Sequence, residues 1–288
     1  MTINRHDFLA SPEKKLSEYA TAHPDAASYS TEEVKEALFE EVISTLRDQQ
    51  MRLFAEAKSG IVVILQAMDA AGKDEAVTTV FSNLSVQGLR ESEPGEPSDK
   101  ELKRDYLWRH HETLPKRGEI AILNRSYYEE VLGSRVHGSY QDEPMPDKWK
   151  EGPVWKRRYR HLNEYERYLT ENGFVVLKFY LNVDKDVQKK RLLERMTDPS
   201  KNWEFSFSDV DDRDKWEDFY HAYDEAIKET STEYAPWYVI PADDPWFTRL
   251  VIAEIFSQTL SELNPTLPVL SGEEAKKLEE YKEKLKKQ

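Results

Sequence analysis

GIVVILQAMDAAGKDEAV, residues 60–77, contains the change of pattern from which the rest of the chain can be ordered. Ile61 to Leu65 are apolar without a break, too short to cross a bilayer and rich in β-branched side chains. That combination predicts a strand buried on both faces. Ala67, Ala70, Ala71 and Gly72 are small, Lys73 and Asp74 follow, and a helix-compatible run starts at Glu75. Strand, tight loop and helix in that order are the layout of a phosphate-binding loop. Small residues let main-chain N–H groups curl round an anion, the helix opening at Asp74 and Glu75 points its positive end there, and Lys73 adds a mobile charge. Against the pattern G-x-x-x-x-G-K-[ST], Ala67 replaces the first Gly and Asp74 stands where a hydroxyl would hold Mg²⁺. Asp69 would be repelled by phosphates unless a metal lay between them, so it reads as a Mg²⁺ ligand. The alternative is a strand-to-helix turn whose small residues only permit close packing.

The 288 residues are 39% apolar and 33% charged, enough for one large α/β domain, and no linker-like stretch divides them. The sequence has no run of about 18 apolar residues and no signal-peptide layout, so a soluble, unexported, cytoplasmic protein is expected, away from membranes. With no Cys, disulfides and cysteine chemistry are excluded and any metal must be held by oxygen or His. A net charge of −14 argues against general nucleic-acid binding. A polyanionic substrate requires the basic residues to be gathered locally.

Residues 1–31 carry Pro12 and Pro24 with little periodicity and read as an extended arm. From Thr31, taken as an N-cap, Val34, Leu38, Val42, Leu46 and Leu53 keep helical spacing to about Lys58, for packing or subunit contact. Val86 to Leu89 read as a second strand, ESEPGEPSD as a loop, and Ser98 with Glu101 as a capping box opening a helix through ELKRDYLWRHHETLP. Within it, Arg109 is open between phosphate contact and a structural ion pair, and adjacent His110 and His111 have poor metal-ligand spacing. EIAILN, residues 119–124, is another buried strand. Asn124 stands where a P-loop kinase carries an acidic residue acting on Mg²⁺. An amide still binds metal-bound water or substrate, Arg125 can fork onto phosphoryl oxygens, and Glu129 lies five residues beyond Asn124. A capped helix start is the alternative.

VWKRRYRHLNEYERYLTENG sets Trp155, Tyr159, Leu162 and Leu169 on one face with Gly173 as terminator, while Lys156, Arg157, Arg158, Arg160 and His161 read as mostly solvated. FVVLKFYLNV, residues 174–183, is the clearest strand of the second half. Gln188, Arg191 and Arg195 then share one helical face, which suits a lid closing on phosphates; surface neutralisation by Glu194 and Asp198 is the alternative. Asp209 to Asp218 form an acidic helix able to pair with that lid, WYVI at 237–240 is a last strand, and a helix from about Trp246 to Leu263 closes the fold. About five strands alternating with helices predict a three-layer α/β fold with a mostly parallel sheet and its ligand at the carboxyl ends of the strands. The expected division is an N-terminal arm and helix over 1–59, a phosphate-binding domain over 60–265 with a lid at about 184–230, and a charged tail helix over 266–288.

QAMDAAGKDEAV, PSDKELKRDYLWR, LPKRGEIAILNRSYYEEVL, RYRHLNEYERYL, QKKRLLERMTDPSKNWEFS and YAPWYVIPADD occur in that order. Together they resemble the polyphosphate kinase 2 family, over most of the chain. The resemblance implies a P-loop kinase fold with a helical lid, transferring a terminal phosphoryl group reversibly between inorganic polyphosphate and AMP, ADP or ATP with Mg²⁺, for which Mn²⁺ can substitute. By position it makes Asp69 the metal ligand, Lys73 the residue that holds the transferred group, Asn124 and Arg125 the second motif, and Arg191 and Arg195 the lid arginines. It extends phosphate or nucleotide contact to Ala70, Ala71, Gly72, Asp74, Glu75, Arg109 and Glu129. The pairing of Asn124 with Glu129 is similar to the class III subgroup, which accepts both nucleoside mono- and diphosphates. The family also implies a homo-oligomer, tetramer or dimer. Ala67 departs from the family's Gly. Two other readings remain at this point: an ATP-dependent nucleoside or nucleotide kinase, and a non-catalytic phosphate-binding protein with a degenerate loop.

Overall fold

The structure, a computed structural model, describes residues 3–288; the first two residues of the expected arm lie outside the described residues. Ile61 to Leu65 have no exposed surface, so each of these side chains contributes about 1.5–3 kcal/mol of burial. They belong to strand β1 (Gly60–Ala67), which lies in the middle of a five-stranded sheet with β2 (Leu89–Ser92), β3 (Ile120–Leu123), β4 (Phe174–Asn182) and β5 (Trp237–Pro241). The order is β2-β3-β1-β4-β5 and every pairing is parallel. On one face the helix Pro245–Leu263 packs against Ile43–Glu56 and against β4 and β5; elsewhere Val154–Glu171 packs on β4 and against Trp216–Thr230. This is the expected three-layer α/β fold. The chain leaves β1 toward the β2 edge and returns from β3 across to β4, so the connections diverge beside β1, where such sheets place their ligands.

Several local expectations shift. The second strand begins at Leu89, not Val86: Val86 is exposed, and Gly88 has φ +78°, a left-handed turn that ends the preceding loop. The N-terminal helix is capped by Ser30, whose hydroxyl and Glu33 form the capping box, not by Thr31. It runs through Thr31–Glu36, a wider π turn at Ala37–Val42, and Ile43–Glu56. The capping box at Ser98 forms, but the helix stops at Leu102 and a second short one, Trp108–His111, follows. Its four residues at a time cannot sustain the amphipathic run read from the sequence. The acidic segment likewise divides into Phe207–Asp214 and Trp216–Thr230.

The arm is not simply extended. It makes short 3₁₀ turns and buries Ile3, Phe8 and Leu16. Leu9 bridges Tyr238 antiparallel, and Ala10 N–H donates to the Trp237 carbonyl at 2.8 Å. The arm thereby covers the β5 edge, which would otherwise present unpaired backbone groups. At the other end, Gly272–Lys286 is helical and has no buried residue. No helix among the described residues is long and apolar enough to cross a membrane.

Candidate active site

β1 ends at Ala67 and the chain turns sharply. Ala70 (φ +55°) and Gly72 (φ +100°) are both left-handed. A methyl group at Gly72 would meet nothing closer than 3.9 Å, so its backbone angle, not space, calls for glycine. Ala67 lies within β1 in extended conformation, where a methyl group is ordinary. The departure from glycine therefore needs no backbone adjustment. The Ala67 carbonyl accepts from Tyr223 Oη at 2.9 Å.

Ala67, Met68, Asp69 and Lys73 line the floor of a cleft of about 510 Å³ at the carboxyl ends of β1 and β3. Asp69, Lys73, Arg109, Arg125 and Glu129 all border it. Lys73 is half-buried, and among the described residues its ammonium has neither a hydrogen bond nor an ion pair. A cation left without a protein partner on the floor of a cleft is ready for an anion. The Asp69 side chain lines the cleft and is open to solvent there. Crowding by the walls, together with Asp209, Asp212 and Glu129, pushes its pKa up to about 6 against the opposing pull of Lys73. Several carboxylates so placed invite a cation.

Asn124 is buried at the end of β3, and its Nδ2 donates to Asp74 Oδ1 at 2.8 Å while Oδ1 has no partner. Asp74 thus holds the amide instead of taking the place of a metal-binding hydroxyl, and Asn124 is left with one free acceptor. Arg125 is half-exposed and 3.4 Å from Glu93, a pairing weak enough in water to give way to a phosphate. Glu129 Oε1 accepts from Gln66 Nε2 at 3.0 Å. Arg109 shows both of the characters left open by the sequence. It donates to the Gly95 carbonyl at 2.5 Å and lies 3.6 Å from Glu101, yet its buried Nε is unpartnered and it borders the cleft.

The lid arginines are placed differently from a pair aimed at phosphates. Arg191, on the helix Lys185–Thr197, donates to the carbonyls of Ala70 (3.3 Å), Ala71 (3.0 Å), Ala242 (2.8 Å) and Asp243 (3.0 Å). Its guanidinium ties the loop to the end of β5 and occupies two carbonyl oxygens that would repel an anion. Arg195 lies 3.4 Å from Glu204 and 3.9 Å from Glu75. Neither arginine borders the cleft, and neither do Ala70, Ala71, Gly72, Asp74, Glu75 and Asn124. Gln188 from the same helix donates to the Asp69 carbonyl at 2.9 Å and accepts from Arg213 at 2.5 Å. Arg104 stacks over Trp108 at 5.2 Å, outside the cleft. Arg158, read as solvated, is buried and donates to Glu143 at 2.5 Å and to the Glu130 carbonyl at 2.7 Å.

Sequence reasoning missed four contributors. Asp209, Asp212 and Arg213 border the cleft from Phe207–Asp214, and buried His110 borders it too, its Nε2 3.6 Å from Glu130 and without a hydrogen bond. The i, i+3, i+4 spacing of the first three on Phe207–Asp214 was a readable signal. No group of three metal-ligating side chains is preassembled among the described residues. Asp69, Asp209 and Asp212 put carboxylate oxygens at the cleft, the donor type that a hard cation takes.

A family model described as Polyphosphate kinase 2 (PPK2) matches residues 28–268. The chain belongs to the polyphosphate kinase 2 family. Among curated relatives, the chain is 44% identical over 223 residues to the AMP/ADP-polyphosphate phosphotransferase of Meiothermus ruber, covering 77% of this chain and 80% of that one. It is 39% identical over 259 residues to the ADP-polyphosphate phosphotransferase of Rhodopseudomonas palustris, covering 89% and 90%. The crystal structure of Polyphosphate Kinase 2 from Arthrobacter aurescens superposes with a TM-score of 0.87 at 33% identity, covering 96% of this chain and 95% of that one.

Proposed function

We propose that this polyphosphate kinase 2 transfers the terminal phosphoryl group of inorganic polyphosphate to AMP and ADP, reversibly and with Mg²⁺. The observation that carries the reading is the unpaired Lys73 ammonium beside Asp69 on the floor of a cleft, in a chain so close to an AMP/ADP-polyphosphate phosphotransferase. An oxygen of the nucleotide's terminal phosphate attacks the terminal phosphorus of the polymer. The bridging P–O bond breaks, and the shortened polyphosphate leaves with the electron pair. The attacking oxygen is already deprotonated, so the task is to align two anions and stabilise spreading charge, not to move a proton. Lys73 holds the transferred group, Arg125 meets the equatorial oxygens, and Arg109 with His110 supplies donors along the opposite wall. A divalent ion at Asp69, with Asp209 and Asp212 within reach of its waters, would neutralise the facing phosphates. Asn124, held by Asp74 behind the cleft, would reach the acceptor or a metal-bound water only where its Oδ1 becomes exposed. Arg191 shapes the loop in this structure, and Arg195 reaches phosphate only on exchanging Glu75 and Glu204 for it.

The test supplies AMP or ADP, Mg²⁺ and long-chain polyphosphate without ATP. ADP and ATP are the expected products; product only when ATP is the donor would select an ATP-dependent kinase, and none with either donor a binding protein. Raising the salt concentration should weaken polyphosphate binding more steeply than mononucleotide binding, because more ionic contacts are lost. Titrations of both ligands at several salt concentrations check this, and equal slopes would remove the extended polyanion path. The same reading carries a cytoplasmic homo-oligomer, to be measured by sedimentation. It also treats 60–265 as the kinase domain, with a lid near 184–230.

A further inference from the structure

Lys178 interrupts an otherwise apolar strand and takes no part in the chemistry described above. It lies in the middle of β4, paired in register with Ile64 on one side and Trp237 on the other, and is fully buried. Its three donors are all used: Glu166 Oε2 at 2.6 Å, Tyr128 Oη at 3.0 Å and the Thr230 carbonyl at 2.8 Å. Glu166, also fully buried, accepts at Oε1 from Tyr127 Oη (3.0 Å) and Tyr128 Oη (2.8 Å). Trp237 Nε1 donates to Thr230 Oγ1 at 2.9 Å. Every member of the network is buried.

A buried ion pair is a poor way to gain stability, because apolar side chains of similar volume serve as well or better. What this one does is join separate segments that border the cleft. Tyr127 and Tyr128 belong to the segment after β3 that carries Arg125 and Glu129. Thr230 is the last residue of the helix Trp216–Thr230, which brings the chain back from the lid and sets Phe219 and Tyr223 against the cleft. We propose that Lys178, Glu166 and Tyr128 are positioning residues that form the fixed joint between the Arg125–Glu129 wall and the base of the lid. The joint touches no substrate. It sets the distance between two walls that must hold polyphosphate and nucleotide in line, and a displacement of about 1 Å can cost on the order of 10²-fold in rate.

The activity part of the test rests on the proposed reaction; the exchange part does not. Tyr128→Phe keeps the ring and removes the hydroxyl shared by Glu166 and Lys178, and Lys178→Met with Glu166→Gln replaces the charged pair by neutral side chains of similar length. Both substrates are varied, and rates are normalised to folded protein. For each variant that folds, kcat should fall about tenfold or more with KM values within about twofold. Amide exchange should accelerate in 126–132 and 223–230 but not in β1 or β4. Unchanged kcat, or exchange that rises uniformly through the sheet, would overturn the joint. If the wild-type protein fails to use polyphosphate, the proposed function falls and the exchange pattern alone decides the joint.

Discussion

Lys73→Ala should lower turnover with polyphosphate and ADP by about 10³-fold or more while leaving the melting temperature unchanged. The ammonium has no protein partner among the described residues, so its removal deprives the fold of nothing. On the proposed mechanism the site, by contrast, loses the cation that holds the transferred group. Continuous detection of ATP, alongside a thermal melt of the same preparation, checks both halves. Near-normal turnover in a folded variant would exclude Lys73 from the mechanism. Lys73→Arg is expected to recover only a small part of the rate, because a planar fork does not fit where a compact point charge sits.

Asp69→Asn should reduce turnover by at least about 10²-fold and change its pH dependence. The Asp69 carboxyl is crowded by the cleft walls, Asp209 and Asp212, which push its pKa from 3.8 up to about 6. The sign follows directly. In the folded protein the proton is held more tightly than in the unfolded chain, so this group's contribution to stability declines as pH rises from about 4 through about 6. Over the same interval the carboxylate becomes available to a cation. At low, fixed Mg²⁺, kcat/KM should therefore fall with acidification below a midpoint near 6, and added Mg²⁺ should move the midpoint lower by competing with the proton. The Asn variant should retain its residual activity without that limb. A wild-type profile flat between pH 5 and about 7 would mean that Asp69 does not titrate in this window.

Much of the architecture was legible because its signals are local. Ile61–Leu65 could only be a two-sided strand, and the small residues before Lys73 could only turn tightly. β3 and the opening of β4, Phe174 to Leu177, had the same uninterrupted apolar character. What escaped depended on contacts between distant segments. The face shared by Gln188, Arg191 and Arg195 was visible from spacing alone, but not that the Ala70 and Ala71 carbonyls would take up Arg191. Arg158 looked like one cation in a solvated cluster until Glu130 and Glu143 closed over it. Lys178 drew no reading of its own from the sequence, since its partner Glu166 lies on another element and only packing brings the two together. His110 was weighed as a metal ligand and set aside, whereas its place in the cleft comes from a short helix that periodicity does not reveal.

The sheet order also bears on how the molecule is made. β1 pairs with β4, Gly60 against Phe174, and no two neighbouring strands are joined by a hairpin. As the chain leaves the ribosome, the phosphate loop emerges early but stays without its far wall until the second half has been synthesised. Nascent fragments ending before β4 should carry the apolar β1 segment uncovered, and they are where chaperone binding or aggregation would concentrate during synthesis.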